Sequence, residues 1–266
     1  MTVPLSSRVR VRFQSYDGGT VAHVTVGDGT KLNIINSRLM TEFIAAIADL
    51  EARDDLRAVV LTGASDKAFI GGADIREMVG LNAQTAEAFI TQLHRMCNCL
   101  RELPVPVIAR INGYALGAGL EVAAACDIRI AATTAIFGMP EVKVGIPSVI
   151  EAALLPNLIG WGRTRELLMF GENIGAQDAY RWGLVEQVVE PAGLDAAVDA
   201  RLRGLLTAGP QAVRLQKKLM REWEELTPSQ AVQAGIQCFV ESWKTEEPAQ
   251  MMRAFLNRRR PAAGQD

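Results

Sequence analysis

Histidine is nearly absent from this chain, with His23 and His94 the two copies in 266 residues. A Ser-His-Asp or Cys-His hydrolase would have to draw its base from that pair, and neither stands beside a nucleophile elbow. Cysteine is sparse as well: Cys97, Cys99, Cys126 and Cys238 are too few for a disulfide framework. His94 lies one helical turn before Cys97 and Cys99, a spacing that invites a metal reading. Residues two apart on a helix point to different faces, however, and no second Cys/His cluster completes a zinc tetrahedron. Core packing is the expectation for these side chains, and no metal is expected. Charge is balanced at 28 basic against 30 acidic residues, a net −2. That provides no basic field for nucleic acid, so any phosphate binding must rest on local basic clusters. No run of about 18 uncharged apolar residues is present, and no membrane span is expected. Residues 1–8 lack the apolar core of a signal peptide. A reduced, cytoplasmic protein is the simplest expectation.

What the chain has is apolar residues, 49% of the total, in periodic segments. Val9, Val11 and Phe13 alternate with Arg8, Arg10 and Arg12, predicting a strand. Asp17-Gly18-Gly19 supplies a turn, and Val21 to Val26 reads as the returning strand of a hairpin. Asn36-Ser37 offers an N-cap, followed by Leu39, Met40, Phe43, Ile44, Ile47 and Leu50 at helical spacing. Residues 58–61 form a β-rich run. A helix over 84–102 is broken by Pro104 and Pro106, with strands predicted at 107–111 and 127–131 on either side of a buried helix start at 117–125. This alternation predicts an α/β layer architecture. From about residue 194 strand signals stop, and helices are predicted near 194–207, 210–224 and 228–258, the last interrupted near Glu247-Pro248. The expected division is an α/β core, 1–195, and a helical region, 196–266.

Three segments have the composition of a chemical site. Gly71-Gly72-Ala73-Asp74 lies between a strand and a helix, where adjacent glycines let a backbone approach a ligand and leave the Ala73 amide as a donor. A tight turn with Asp74 as helix cap fits the same residues. In Asn112 to Glu121, small residues at a helix N-terminus offer free amides and a positive dipole end to a developing anion. Its glycine spacing does not fit a dinucleotide fingerprint, since Val122 holds the third glycine position. Glu121 falls in the first turn of that helix, where the dipole favours its ionised form. Its neighbours, Leu120 and Val122 to Ala125, would bury it, and a buried carboxylate needs a partner or a function. The third segment, Phe137 to Pro147, sets Glu141 behind Pro140 beside apolar residues. Two such glutamates converging on a cleft could act as proton donor and acceptor.

In this order and spacing the three segments resemble the enoyl-CoA hydratase/isomerase (crotonase) family. Gly72-Ala73-Asp74-Ile75 is similar to the family's Gly-Ala-Asp-(Ile/Leu). Asn112 to Glu121 is similar to its Asn-Gly-x-Ala-x-Gly-Gly-Gly-x-Glu, with Ala118 in place of the middle glycine, and Phe137 to Glu141 is similar to its Phe-Gly-x-Pro-Glu. Weaker likeness extends to Lys31-Leu32-Asn33, to Ala176 through Gly183, and to the basic ending Phe255 to Arg260.

The resemblance implies a crotonase-like spiral of ββα units with an α-helical C-terminal trimerisation region, assembled as a homotrimer or a dimer of trimers. It implies an acyl-CoA thioester substrate, with no cofactor beyond the coenzyme A that the substrate carries. By motif position the amides of Ala73 and Ala118 would bind the thioester oxygen, and Glu121 and Glu141 would hold a water and deliver a proton. Contacts to substrate are implied for Lys31, Leu32, Asp74, Ile75, Arg76 and Ser148, and to the CoA phosphates for Arg258, Arg259 and Arg260 with Lys31 and Arg76. Retention of both glutamates favours a 2-enoyl-CoA hydratase. A Δ3-Δ2 enoyl-CoA isomerase, another enolate-forming enzyme, and a catalytically weak acyl-CoA-binding subunit are the alternatives. They are kept open by residues 145–151, where Ser148, Val149, Ile150 and Glu151 stand in place of the family's glycine-rich stretch. Glu151 is expected either beside the pocket or facing solvent.

Overall fold

The computed structural model describes residues 8–27 and 29–258. The chain opens with the antiparallel hairpin β1 (Val9–Tyr16) and β2 (Gly19–Val26), in register from Val9↔Val26 to Tyr16↔Gly19. Helix α1 (Ser37–Glu51) follows, its N-terminus closed by the Asn36 side chain accepting from the Leu39 amide. Then β3 (Leu56–Gly63), β4 (Ala68–Ile70), α2 (Ile75–Met78) and α3 (Ala83–Glu102) form one turn of a spiral. β5 (Val107–Ile111), β6 (Tyr114–Leu116) and α4 (Ala118–Ala125) form the next. β7 (Ile128–Ala132) and β8 (Ile136–Gly138) begin a third, completed by 3-10 turns at Pro140–Val144 and Ile150–Leu154 and by α5 (Leu155–Phe170). β9 (Ile174–Gly175), α6 (Ala176–Trp182) and β10 (Gln187–Val189) lead to α7 (Leu194–Leu206).

The long strand of each turn joins one sheet, ordered β1-β2-β3-β5-β7-β10, and the short strand joins a second, β4-β6-β8-β9. This is the expected spiral of ββα units. The second sheet was not legible as such, because runs of two or three residues are too short to show a period of two. β3 lies buried at seven of its eight positions, which is why it reads as an unbroken apolar run. One face of the large sheet meets α1, α3 and α4 through Leu39, Phe43, Met96, Leu100 and Leu120. The other is covered by α7, whose Leu194, Val198 and Leu202 pack on Val21, Val60, Ile108 and Ile130.

All eight residues of α4 are buried, and this helix needs small side chains. A Cβ at Gly119 would lie 2.0 Å from the carbonyl oxygen of Ile70, so β4 passes against the backbone of α4 itself.

Beyond α7 come α8 (Pro210–Trp223), α9 (Pro228–Ser242) and α10 (Glu247–Arg258). The expected interruption falls just before Glu247. That residue's carboxylate accepts from the amides of Gln211 and Ala212 at 2.9 and 2.8 Å, and so caps the start of α8. α8 is tied to the core by Lys217, whose ammonium donates to the Leu100 and Val105 carbonyls at 3.0 Å each and to Asp127 at 2.7 Å. α9 has no buried residue, and Val232, Ile236, Phe239 and Val240 stand exposed along it, with Trp243 exposed just past its end.

Burial lowers the Lys217 pKa more than Asp127 raises it, so the charge is retained for what it joins rather than for a net electrostatic gain. Lys217→Ala leaves Asp127 and two carbonyls without this donor. The expected cost, read from urea unfolding midpoints, is about 2–4 kcal/mol, discounted for the partial exposure of Asp127.

Candidate active site

Strands β4, β6 and β8 run parallel, with Ile70 opposite Ala115 and Leu116 opposite Gly138. The three segments singled out in the sequence leave the same ends of these strands and lie side by side. Together they wall a cavity of about 130 Å³. Ala73, Ile75, Ala118, Glu121 and Glu141 line it, with Met78 of α2, Phe89 and Leu93 of α3, and Ile146 and Val149 closing its apolar sides.

Two backbone donors are free there. A parallel bridge to Ile35 occupies the carbonyl of Gly72 and the amide of Asp74 and passes over the Ala73 N–H. Ala118 is the first residue of α4, ahead of the intrahelical bonds. Among the described residues neither amide donates a hydrogen bond. The turn before Ala118 requires glycine: Gly117 has φ +51°, and a Cβ there would sit 2.5 Å from Glu141 Oε1. That close approach holds the Glu141 carboxylate against the start of α4. Its other oxygen accepts from Ser148 Oγ at 2.8 Å.

Glu121 is 4% exposed, and its pKa is pushed up to about 8. Loss of water around the carboxylate is the main cause, followed by the charge of Glu141 and then that of Glu151, while the amides of Ala152 and Val149 pull the other way. The expectation that the helix dipole keeps Glu121 ionised is therefore corrected. Desolvation and two neighbouring carboxylates outweigh the dipole of an eight-residue helix.

Ile146, Pro147 and Val149 bring residues 145–151 to the wall of the cavity. Gly145 adopts a left-handed conformation (φ +82°), and so does Ile150 at φ +41°, rare for a β-branched residue. Glu151 does not face solvent. It is 5% exposed, and Oε1 lies 2.8 Å from His94 Nδ1 across from α3. Among the described residues its Oε2 has no hydrogen-bond partner. Sequence spacing carried no sign of this pair, whose members are 57 positions apart.

The remaining expected residues lie around the rim or away from it. The Leu32 carbonyl accepts from the Gly71 amide at 2.7 Å, which sets Lys31 and Leu32 beside the 71–74 loop, both exposed. Asp74 caps α2 by accepting from the Arg76 amide at 2.9 Å, the helix-cap reading of that residue, and Arg76 is exposed next to it. Asn33 is buried, and its side chain donates to the carbonyls of Ala68 and Phe69 at 2.8 and 3.2 Å; it braces β4. Arg258 ends α10, and Arg259 and Arg260 lie outside the described residues. No group of three or more His, Cys, Asp or Glu side chains that could hold a metal occurs among the described residues. His94 faces Glu151, and none of the four cysteines is in a disulfide.

The family model for enoyl-CoA hydratase/isomerase matches residues 17–266. The chain is 37% identical over 243 residues to the short-chain-enoyl-CoA hydratase of Clostridium acetobutylicum, covering 91% of this chain and 93% of that one. It is 35% identical over 230 residues to the crotonyl-CoA hydratase of Syntrophomonas wolfei, covering 86% and 88%. The crystal structure of an enoyl-CoA hydratase from Bacillus anthracis superposes with a TM-score of 0.88 at 32% identity, over 96% of this chain and 98% of that one.

The raised pKa of Glu121 has a thermodynamic consequence. The folded state holds this proton up to about pH 8, whereas an unfolded glutamate releases it near 4.5. The Glu121 contribution to stability is thus intact below pH 4.5 and is lost as pH rises towards 8. Glu121→Gln lacks this loss. Urea unfolding is expected to find the variant and wild type similar at pH 5, and the variant more stable by about 2–4 kcal/mol at pH 9.

Proposed function

The chain belongs to the enoyl-CoA hydratase/isomerase family, and from that membership we propose that it adds water to short 2-enoyl-CoA thioesters, using Glu121 and Glu141 as its acid–base pair. The observation that carries this reading is the pair of carboxylates facing one small cavity that also holds two free backbone amides. A binding subunit has no need of two carboxylates in an apolar pocket. The names of the two curated relatives, a short-chain-enoyl-CoA and a crotonyl-CoA hydratase, support the substrate class. So does the cavity, whose ≈ 130 Å³ equals about four water molecules at their share of liquid volume and suits an acyl group of few carbons.

The chemistry follows from charge. The thioester oxygen accepts from the Ala73 and Ala118 amides, donors aimed where negative charge grows as the double bond is attacked. Between them the two glutamates carry one proton, as the raised pKa of Glu121 beside Glu141 favours. The ionised member takes a proton from water as the water oxygen bonds to Cβ. The π electrons move toward the carbonyl as an enolate, which then takes the proton of the other glutamate at Cα. The product is a 3-hydroxyacyl-CoA, and the pair again holds one proton. Ser148 orients Glu141 by donating to the oxygen remote from Gly117.

For the CoA phosphates we assign Lys31 and Arg76, both exposed, with Arg258, Arg259 and Arg260 as further cations. No cofactor is required beyond the CoA of the substrate. A cytoplasmic setting accords with four free thiols, and no helix among the described residues is long and apolar enough to cross a membrane. Residues 196–266 form the oligomerisation region of a trimer or dimer of trimers. α7 fixes this region to the sheet, and both α9 and α10 expose apolar side chains, Met251, Met252 and Phe255 on the latter.

Following the conjugated-thioester absorbance of crotonyl-CoA tests the assignment. Glu121→Gln and Glu141→Gln are each expected to bind acyl-CoA yet lose roughly 10²–10⁴ in turnover, with the double variant falling well short of the product of the two losses. Wild-type rates in both single variants would remove these residues from the mechanism. Conversion of a 3-enoyl-CoA without hydration of crotonyl-CoA would make the protein an isomerase. For the assembly, light scattering is expected to give three or six chains at micromolar concentration, and Ile236→Asp with Phe239→Asp a smaller species.

A further inference from the structure

Burying Glu151 gives the fold no evident packing advantage. The side chain sits in the 3-10 turn Ile150–Leu154, pressed against α3, α4 and α5. One oxygen is held by half-exposed His94, and the other has no partner among the described residues. A buried carboxylate in such a state is costly, and an apolar residue would fill the space without that cost. Its surroundings give a reason for its presence. Ala152 directly after it and Val149 two positions before it turn their amides toward the Glu121 carboxylate, and Val149 also lines the cavity.

We propose that Glu151 is a positioning residue for the proton chemistry of Glu121, and that His94 orients it. The arrangement has three parts. Glu121 faces the cavity, Glu151 stands behind it as a second negative charge, and His94 connects Glu151 to the surface. Glu151 strengthens the hold of Glu121 on its proton, keeping the pair in its one-proton state at neutral pH. The groups facing Glu151 are few. From α3 there are His94 and Cys97, the latter fully buried with its thiol pushed up by burial first and then by Glu151 and Glu121. From α4 there is Glu121, with Glu141 beyond it. The charged groups of α5 are engaged elsewhere: Arg163 stacks on Trp182 and pairs with Glu166, and Arg165 stacks on Trp161. Among the described residues His94 is the one side chain bonded to Glu151.

The proposal rests on the hydratase reading of the site, but its test does not have to. kcat/KM for crotonyl-CoA is recorded from about pH 6 to 10 in wild type, Glu151→Gln, His94→Gln and the double variant. Removing the charge behind Glu121 is expected to move the alkaline limb of the profile to lower pH by about half a unit to one unit. His94→Gln is expected to alter the profile in the wild-type background and to add nothing once Glu151 is Gln. A folded Glu151→Gln whose limb stays in place overturns the proposal, as does a His94→Gln effect of equal size in both backgrounds. Glu151→Met, which leaves no buried amide to satisfy, repeats the measurement if the glutamine variant folds poorly. The same displacement is read without turnover from the pH dependence of urea unfolding, taken as the difference between each background and its Glu121→Gln counterpart. A wild type that fails to hydrate crotonyl-CoA while this unfolding limb still moves with Glu151 overturns the hydratase reading and supports the coupling.

Discussion

Parallel pairing of β4, β6 and β8 sets the loops that follow them side by side, at about the 4.8 Å spacing of neighbouring strands. That spacing brings residues from three distant stretches of chain into one cavity. It requires glycine at 119, where β4 runs against α4, and glycine at 117, where the turn into α4 meets the Glu141 carboxylate. Larger residues at either point would force the second sheet away from α4 and open the distance between the Ala73 and Ala118 amides. The large sheet, with a core on each face, provides the rigid frame on which the short strands can be placed so accurately.

The three motifs could be read in the sequence because each is local. A free amide at a helix start, a glycine turn and a carboxylate among apolar neighbours are all visible within ten residues. The same holds for the β1–β2 hairpin and for α1, whose cap and apolar stripe lie in adjacent positions. Features made by distant parts of the chain were not visible. β9 has only two residues, and its place in the second sheet comes from pairing with β8. Asn33 sits in a stretch likened to a CoA-contacting one, yet its buried amide braces β4. The balance of effects at Glu121 was hidden for the same reason. The helix dipole is a local property, but burial and the nearby charges of Glu141 and Glu151 are set by tertiary structure.

Residues 146–151 contain no glycine, yet one of them takes a positive φ. Ile150 takes a left-handed conformation of the kind glycine adopts freely. The strain is held in place by contacts on both sides: Val149 and Ile146 on the cavity, Glu151 against α3, and Ser148 on Glu141. The substituted residues bring three groups that glycine cannot supply. These are an apolar wall, a hydroxyl donor to one carboxylate and a charge behind the other.

The electrostatic balance of this region then follows from counting its groups. Three carboxylates, Glu121, Glu141 and Glu151, lie close enough for the latter two to raise the pKa of the first, and among the described residues the bonds they receive from side chains come from Ser148 and His94 alone. No arginine or lysine pairs with any of them in the described structure, although the chain contains 28 such residues. A guanidinium beside Glu121 would hold it ionised. With neutral and weakly basic partners instead, Glu121 is favoured in its protonated form, and the backbone amides remain the donors available to a growing oxyanion.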